Sequence, residues 1–240
     1  MSPHVDEPDR APLISRRAVA RGAAWSVPVV SLAVAAPAMA AVSPPPCTPQ
    51  TGMLKWSSLS GSGSQADKDL ATTVAGLTVR IHATGDARAP SNLVTSTGPV
   101  GNAKSLLLLH SVNSKANTSQ TVTLTFSAPV QNLSFTFLDI DSSKTGNTYH
   151  YEDHVAISPA PSSQTRSSNI LGSSRGTTAN PWVAVNDNSP ASDTQTISNV
   201  AVSWATAQTM ITITYFQDSH KQDGSPKVGI GDLSFQTVCP

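Results

Sequence analysis

Apolar and polar side chains alternate between Val122 and Phe137, and this pattern constrains the fold more than any other in the sequence. A period of two residues is typical of a β-strand with one face buried and the other facing solvent. The alternation breaks at Ala128-Pro129 and then resumes. The apolar positions are Val122, Leu124, Phe126, Leu133, Phe135 and Phe137.

Two aspartates continue the apolar face of this segment. Because side chains alternate along a strand, Asp139 and Asp141 fall on the same inward side as Phe137. The polar run 142–147 supplies turn chemistry, and a second strand is predicted after it. The inward face of that strand carries Tyr151, Asp153, Val155 and Ile157.

The register of the predicted hairpin brings two carboxylates together. Pairing Phe137 with Val155, and Phe135 with Ile157, sets Asp139 opposite Asp153. Like charges directly opposite each other destabilise a sheet, so a cation or a basic residue from another strand must neutralise them.

Calcium is the cation predicted for this cluster, because it takes several carboxylate and carbonyl oxygens as ligands. Asp139, Asp141 and Asp153 would hold it at the rim of the sheet, with Glu152 nearby and Asp232 brought close by the last strand. No D-x-D-x-D-G calcium loop is present. The alternative is that these aspartates end their strands and accept turn hydrogen bonds in solvent.

The same carboxylates also fit a different class of function. Two carboxyl groups about 5 Å apart are the catalytic pair of a retaining glycoside hydrolase. Aromatic residues make up only 5% of the chain, which leaves few to line a sugar cleft. A secreted hydrolase is therefore the alternative to a binding module.

The first 40 residues are predicted to be an export signal. Arg16 and Arg17 lie in the sequence SRRAVAR, which resembles the twin-arginine export signal. A short apolar run follows, and Ala38-Met39-Ala40 is a small-x-small cleavage pattern. The apolar run is too short to span about 30 Å of hydrocarbon. We therefore expect the twin-arginine translocase and a signal peptidase as partners during export, and an extracellular or cell-surface location without a membrane span.

The predicted organisation is a signal at 1–40, a Pro-rich linker at 41–51 and a single domain at 52–240. The chain has 15 basic and 15 acidic residues, of which 4 and 3 lie in the signal, so the mature part has 11 and 12. A net charge of −1 argues against nucleic acid and anionic membranes as partners.

The two cysteines, Cys47 and Cys239, lie near the ends of the mature chain. In an oxidising compartment they are predicted to form one disulfide, with two free thiols as the alternative. Such a bond requires the first and last strands to end within about 6 Å of each other, from Cα to Cα.

The rest of the mature chain consists of short periodic segments separated by turn residues, and no window has a sustained helical period. We therefore predict an all-β fold, an antiparallel β-sandwich of jelly-roll type with roughly nine strands. The polar segment 159–180 is predicted to be a surface excursion. Further strands are predicted at 53–56, 74–83, 104–112, 181–185, 194–205, 208–217 and 227–238.

Two parts of the chain resemble exported bacterial β-sandwich domains. The sequence FSAPVQNLSF at 126–135 leads into LDID at 138–141 and EDHV at 152–155, and it is similar to the pattern F-S-x-P-V-x-N-L-S-F, D-I-D, D-x-V of that group. The sequence GIGDLSF at 229–235 is similar to the group's last strand. The resemblance covers about half of the mature chain. It implies a surface or secreted module, often lectin-like in architecture, and it supplies no catalytic residues.

A carbohydrate or another cell-surface ligand is the partner predicted for such a module. Tyr149 and Trp182 lie beside turns or weak strands, so they are the aromatic residues expected to be exposed for stacking on a sugar. The alternative is that both are core residues of strands. The sequence thus predicts an exported, non-catalytic binding module, with calcium as a stabilising ion.

Overall fold

The computed structural model describes residues 47–59, 68–85, 94–95, 106–110, 119–192, 194–217 and 226–239. This part of the chain is all β, with one 3₁₀ turn at Trp56–Ser58 and no α-helix. None of it forms a helix long and apolar enough to cross a membrane. The predicted export signal, including Arg16 and Arg17, lies outside the described residues.

The described residues form thirteen strands that pair antiparallel in one curled sheet, which confirms the all-β antiparallel prediction. The strands are β1 Thr51–Leu54, β2 Lys68–Val74, β3 Leu77–Gly85, β4 Val94–Thr95, β5 Leu106–His110, β6 Ser119–Leu138, β7 Ser142–Thr145, β8 Thr148–Ser158, β9 Ser163–Arg166, β10 Val200–Trp204, β11 Gln208–Gln217, β12 Lys227–Ile230 and β13 Leu233–Thr237.

The 20-residue strand β6 pairs with five other strands, which is more than any other described strand does. Its N-terminal half lies between β3 and β11. Its C-terminal half lies between β10 on one side and β13 and β12 on the other. One strand therefore belongs to both halves of the curled sheet.

The strand β6 changes partners around Pro129. On β11, Gln208 pairs with Val130 and Met210 pairs with Thr125. Thr209 alone therefore lies opposite residues 126–129 of β6. Proline has no N–H to contribute to the ladder, so the pairing is interrupted where the alternation of the sequence breaks. Asn132 then takes a positive φ of 51°, and the pairing with β13 shifts register nearby. Such bulges bend a strand and increase its twist, which lets the sheet curl.

The predicted apolar face of β6 is buried, as the alternation predicted. Its aromatic rings are held by rings from other segments: Phe135 stacks on Trp204 with centroids 5.6 Å apart, and Phe137 lies 5.3 Å from Trp182. The core therefore lies inside the curve of the sheet, on the inward side of β6.

The predicted disulfide between Cys47 and Cys239 is confirmed, with a Cα–Cα distance of 5.5 Å. The first strand pairs with the last, so that Leu54 lies opposite Leu233 and Thr51 opposite Gln236. This pairing brings the two cysteines together.

The predicted pairing of β6 with β8 is wrong. Among the described strands β8 pairs with β11 and with the short strand β7. The connection between β7 and β8 is a two-residue turn at Gly146-Asn147, with a φ of 60° at Gly146. This tight hairpin sets Asp141, rather than Asp139, beside Asp153. Alternation determines which face a side chain takes, but it does not determine which strand is the partner.

Several other element predictions also need correction. The segment 159–180 contains β9, which pairs with β10 rather than forming only a surface excursion. Strand β2 was missed, and it joins β3 through Ala75-Gly76, whose positive φ angles of 50° and 76° suit a tight hairpin turn. The predicted strand 181–185 forms only isolated bridges, and 227–238 is divided into β12 and β13.

Candidate functional site

The three aspartates predicted to bind calcium are all buried, with exposed fractions of 4% for Asp139, 3% for Asp141 and 0% for Asp153. Ionised carboxylates are seldom buried without partners. The first two follow the end of β6, and Asp153 lies on β8. Asp139 has a positive φ of 67°, and its N–H donates to Oδ1 of Asn199 at 3.2 Å. The chain therefore leaves β6 through a backbone conformation that Asp tolerates better than most residues.

Both carboxylate oxygens of Asp153 accept hydrogen bonds. Oδ1 accepts from the Tyr215 hydroxyl at 2.6 Å and from Nε2 of Gln217 at 2.8 Å. Oδ2 accepts from the backbone N–H of Asp141 at 3.3 Å, and the Asp153 N–H donates back to the Asp141 carbonyl at 3.0 Å. The pairing of β8 with β11 sets Gln217 directly opposite Asp153, which positions these donors.

The carboxylate of Asp141 is also held by donors from other segments. Its Oδ2 accepts from the Ala191 N–H at 2.7 Å and from the Tyr151 hydroxyl at 3.3 Å. Ser142, the next residue, donates from its Oγ to the Asn186 carbonyl at 2.6 Å. These bonds fasten the loop that contains residues 186–191 over the carboxylate pair.

Burial changes the protonation of this cluster. Burial, followed by the charge of Asp141, raises the pKa of Asp153 well above that of an exposed aspartate, although hydrogen bonds from Tyr215, Asp141 and Gln217 act in the opposite direction. Burial likewise raises the pKa of Tyr215 and that of Tyr151, with the aspartates adding to it. The Asp141–Asp153 pair therefore carries fewer than two negative charges over a wider pH range than two exposed aspartates would.

The structure gives the predicted calcium site no support. Among the described residues, no group of three or more His, Cys, Asp or Glu side chains is arranged to hold a metal ion. Hydrogen-bond donors instead contact the oxygens of Asp141 and Asp153 described above. Asp232 is exposed, and its Oδ1 accepts from the Trp56 N–H at 3.0 Å. Glu152 lies 3.4 Å from Nε2 of His154.

The prediction that Trp182 is exposed is wrong, because its exposed fraction is 0%. Its ring packs against Phe137, and its Nε1 donates to Oε1 of Gln164 at 2.6 Å. The polar residues around Trp182 indicated an exposed loop. A side chain from a loop can nevertheless pack into the core, as this one does. Tyr149 is half-buried: its hydroxyl donates to Oδ2 of Asp187 at 2.5 Å and accepts from Nζ of Lys144 at 3.0 Å.

A groove of about 380 Å³, which was not predicted, crosses the outer face of β9, β10, β6 and β13. Four serines line it in one row across the strands: Ser163 lies opposite Ser203, Ser203 opposite Ser134, and Ser134 opposite Ser234. Adjacent strands lie about 4.8 Å apart, so the row spans about 14 Å. The remaining polar or small lining residues are Thr136, Thr165, Ala201 and Asp232. We call this site the hydroxyl groove.

The signal for the hydroxyl groove was present in the sequence as the outward positions of the alternation, such as Ser134 and Ser203. Outward serines are common on exposed strands, so their types alone did not mark a site. The groove exists because β9, β10, β6 and β13 lie side by side in that order. It could not be predicted without β9, which the sequence analysis did not identify.

A scan against protein-family models found no match to this chain, and a search of curated proteins found no significant match. Function is therefore inferred from the hydroxyl groove and the buried carboxylates.

Proposed function

We propose that this chain is an exported, non-catalytic β-sandwich module of jelly-roll or lectin-like type that binds carbohydrate in the hydroxyl groove. The observation that carries the proposal is the row of four serines with an exposed carboxylate, Asp232, in the same groove. Its volume lies within the range of about 300–1,000 Å³ that is usual for ligand sites.

The chemistry of the groove suits a neutral, hydroxyl-rich ligand. Each serine or threonine hydroxyl can donate one hydrogen bond and accept others, as a sugar hydroxyl can. The carboxylate of Asp232 is an acceptor that a sugar hydroxyl could contact, and the bond from the Trp56 N–H to its Oδ1 fixes its orientation. A second hydrogen bond, from Nε1 of Trp56 to the Gly231 carbonyl at 2.8 Å, fixes the backbone beside it.

The burial of Asp141 and Asp153 favours a binding module over the hydrolase alternative. A catalytic carboxylate pair must flank the bond of a bound glycoside. These two carboxylates are at most 3% exposed and contact protein donors, so a substrate could reach them only after the overlying loop opens. The disulfide supports an oxidising, non-cytoplasmic location.

A glycan array probed with the mature chain tests this proposal. One half is run in calcium and the other in chelator, so that any requirement for calcium is measured as well. We compare the wild type with Ala201→Tyr, which fills the hydroxyl groove without removing a hydrogen bond. Ala71→Tyr is the matched control, since Ala71 is an exposed alanine on β2, a strand that does not line the groove.

We expect binding to a class of neutral glycans that Ala201→Tyr weakens at least about tenfold and Ala71→Tyr leaves unchanged. Equal binding by wild type and Ala201→Tyr would exclude the groove as the site. Release of reducing sugar from a bound glycan would favour the hydrolase instead.

A further inference from the structure

Two arginines converge on one backbone oxygen beside β9. Nη1 of Arg166 and Nη1 of Arg175 both donate to the carbonyl of Ser174, the second at 3.1 Å. Since both nitrogens lie within hydrogen-bonding distance of the same atom, they are at most about 6 Å apart. Arg175 is exposed and Arg166 is half-buried. We call this the arginine pair.

Within the described residues, no acidic side chain forms an ion pair with the arginine pair. The sequence contains no Asp or Glu between Asp153 and Asp187. The ion pairs identified within the described residues join Lys144 to Asp187 and His154 to Glu152, and neither arginine takes part in them. Two like charges held this close repel each other unless an anion lies nearby.

The backbone that carries the arginine pair is firmly anchored. The Arg175 N–H donates to the Asn180 carbonyl at 3.1 Å. The next residue, Gly176, lies so close to Trp182 that a Cβ there would be 2.3 Å from the ring. Trp182 in turn bonds Gln164, two residues before Arg166. The backbone that carries both arginines is therefore fixed, and the bonds of their Nη1 atoms to the Ser174 carbonyl restrain the side chains, which lowers the entropy lost when a ligand binds.

The same loop has an unsatisfied polar group. Oγ of Ser174 is buried and has no hydrogen-bond partner among the described residues. A buried hydroxyl without a partner is unfavourable, so a bound water that reached it would stabilise the loop that carries Arg175. Because Ser174 is fully buried, a polymer at the surface would contact the arginine pair and not this hydroxyl.

We propose that the arginine pair binds the carboxylate or sulfate group of an acidic polysaccharide. Guanidinium groups present parallel N–H donors that match the oxygens of such anions. The site is separate from the hydroxyl groove, because Thr165 faces the groove while Arg166, the next residue on β9, points to the other side. The proposal therefore stands whether or not the groove binds sugar.

Charge favours a polysaccharide over other polyanions. Nucleic acids and anionic membranes attract extended basic surfaces, whereas the predicted mature chain carries a net charge of −1. The neighbours of the arginine pair in sequence are mostly Ser, Thr, Asn and Gly. A discrete cationic pair among hydroxyl and amide groups matches a polymer that carries single acidic groups among sugar hydroxyls.

The experiment measures binding of the mature chain to dextran sulfate, to uncharged dextran of the same length and to polygalacturonate, which separates sulfate from carboxylate. Variants are Arg175→Gln, Arg175→Lys and the control Arg80→Gln, which removes one positive charge from an exposed arginine on β3. Melting curves establish that each variant folds.

We expect binding to at least one acidic polymer and none to dextran. Arg175→Gln should weaken it about tenfold, Arg175→Lys should weaken it less, and Arg80→Gln should change it less than about twofold. Equal losses for Arg175→Gln and Arg80→Gln would overturn the site in favour of general charge attraction. Failure to bind either acidic polymer, or tighter binding to duplex DNA, would overturn the polysaccharide. If Arg175→Gln does not fold, the comparison of Arg175→Lys with wild type decides the outcome.

Discussion

Asp153 is a carboxylate in the core of a β-sheet whose charge is met by neutral donors. Tyr215 and Gln217 lie two residues apart on β11, so their side chains lie on one face and both reach Oδ1. Each bond to a charged acceptor contributes about 1.5–3 kcal/mol. Burial nevertheless dominates, which is the reason that the pKa of Asp153 is raised.

The raised pKa of Asp153 predicts a stability that falls as pH rises. The folded state keeps the proton at pH values where the unfolded chain, with an ordinary pKa near 4, has released it. Free energy of unfolding should therefore decrease from about pH 4 toward the raised pKa. Asp153→Asn, which cannot ionise, should flatten this slope.

Denaturant titrations at pH 4, 5, 6 and 7 measure the slope. Asp187→Asn is the control for the loss of a surface carboxylate. Asp187 pairs with Lys144 at the surface, so its replacement should not abolish the decrease in stability with pH. A wild-type chain whose stability rises over this window would contradict the prediction.

At the scale of elements, a segment without regular strand structure completes the sheet. The backbone of Trp182 exchanges hydrogen bonds of 2.9 and 3.1 Å with Val155, and the Ile157 N–H donates to the Gly176 carbonyl at 2.8 Å. These bonds occupy backbone groups on the edge of β8 that does not pair with β11. Without them, this edge would be open to pairing with another chain. The irregular segment thus provides both an edge cover and a core tryptophan.

Gly176 is predicted not to tolerate even an alanine side chain. Its φ of 72° is in the left-handed region, and a Cβ would lie 2.3 Å from the Trp182 ring. Gly176→Ala should therefore lower the free energy of unfolding by about 1–2 kcal/mol for the backbone and by a further 1–3 kcal/mol for the overlap.

Gly146→Ala separates the two effects. Gly146 has a similar φ of 60°, but a Cβ there would have no atom within 4 Å. We expect it to lower the free energy of unfolding by about 1–2 kcal/mol only. Equal losses for the two variants in urea titrations would contradict the predicted steric term.

Sequence periodicity predicted the elements whose faces differ most in polarity. Strand β11 begins and ends where the alternation of 208–217 predicts, and the inward side of β6 is the core. Partner choice was not predictable, because Asp153 satisfies the same alternation whether its neighbour is Asp139 or Asp141. Trp182 was missed for a related reason: its burial depends on the position of Gly176 in space, which no local pattern encodes.

At the scale of the whole molecule, the disulfide joins residues 192 positions apart. Closing a loop of this length is worth about 5 kcal/mol in the chain-entropy model, although measured values are often smaller. Cys47→Ser should therefore lower the free energy of unfolding by up to about 5 kcal/mol. Cys239→Ser and the double variant should match it, because all three remove the same bond. A double variant clearly less stable than either single one would show that the cysteines contribute separately.

The export prediction is tested with the intact chain. Replacing Arg16 and Arg17 by lysine should leave precursor in the cytoplasm, where Cys47 and Cys239 should remain reduced and open to alkylation. Arg10→Lys, outside the SRRAVAR sequence, is the control and should be exported normally. Normal export of the double lysine variant would point to the general secretory route.

The short distance between the cysteines also determines how the domain carries a mechanical load. A pull applied between residues 47 and 239 acts on two points that are 5.5 Å apart and covalently joined. The tension passes through the sulfur–sulfur bond, and the hydrogen bonds between the strands bear none of it. The folded sheet therefore carries no load while the disulfide is intact. Reduction of this one bond would transfer the force to the first and last strands.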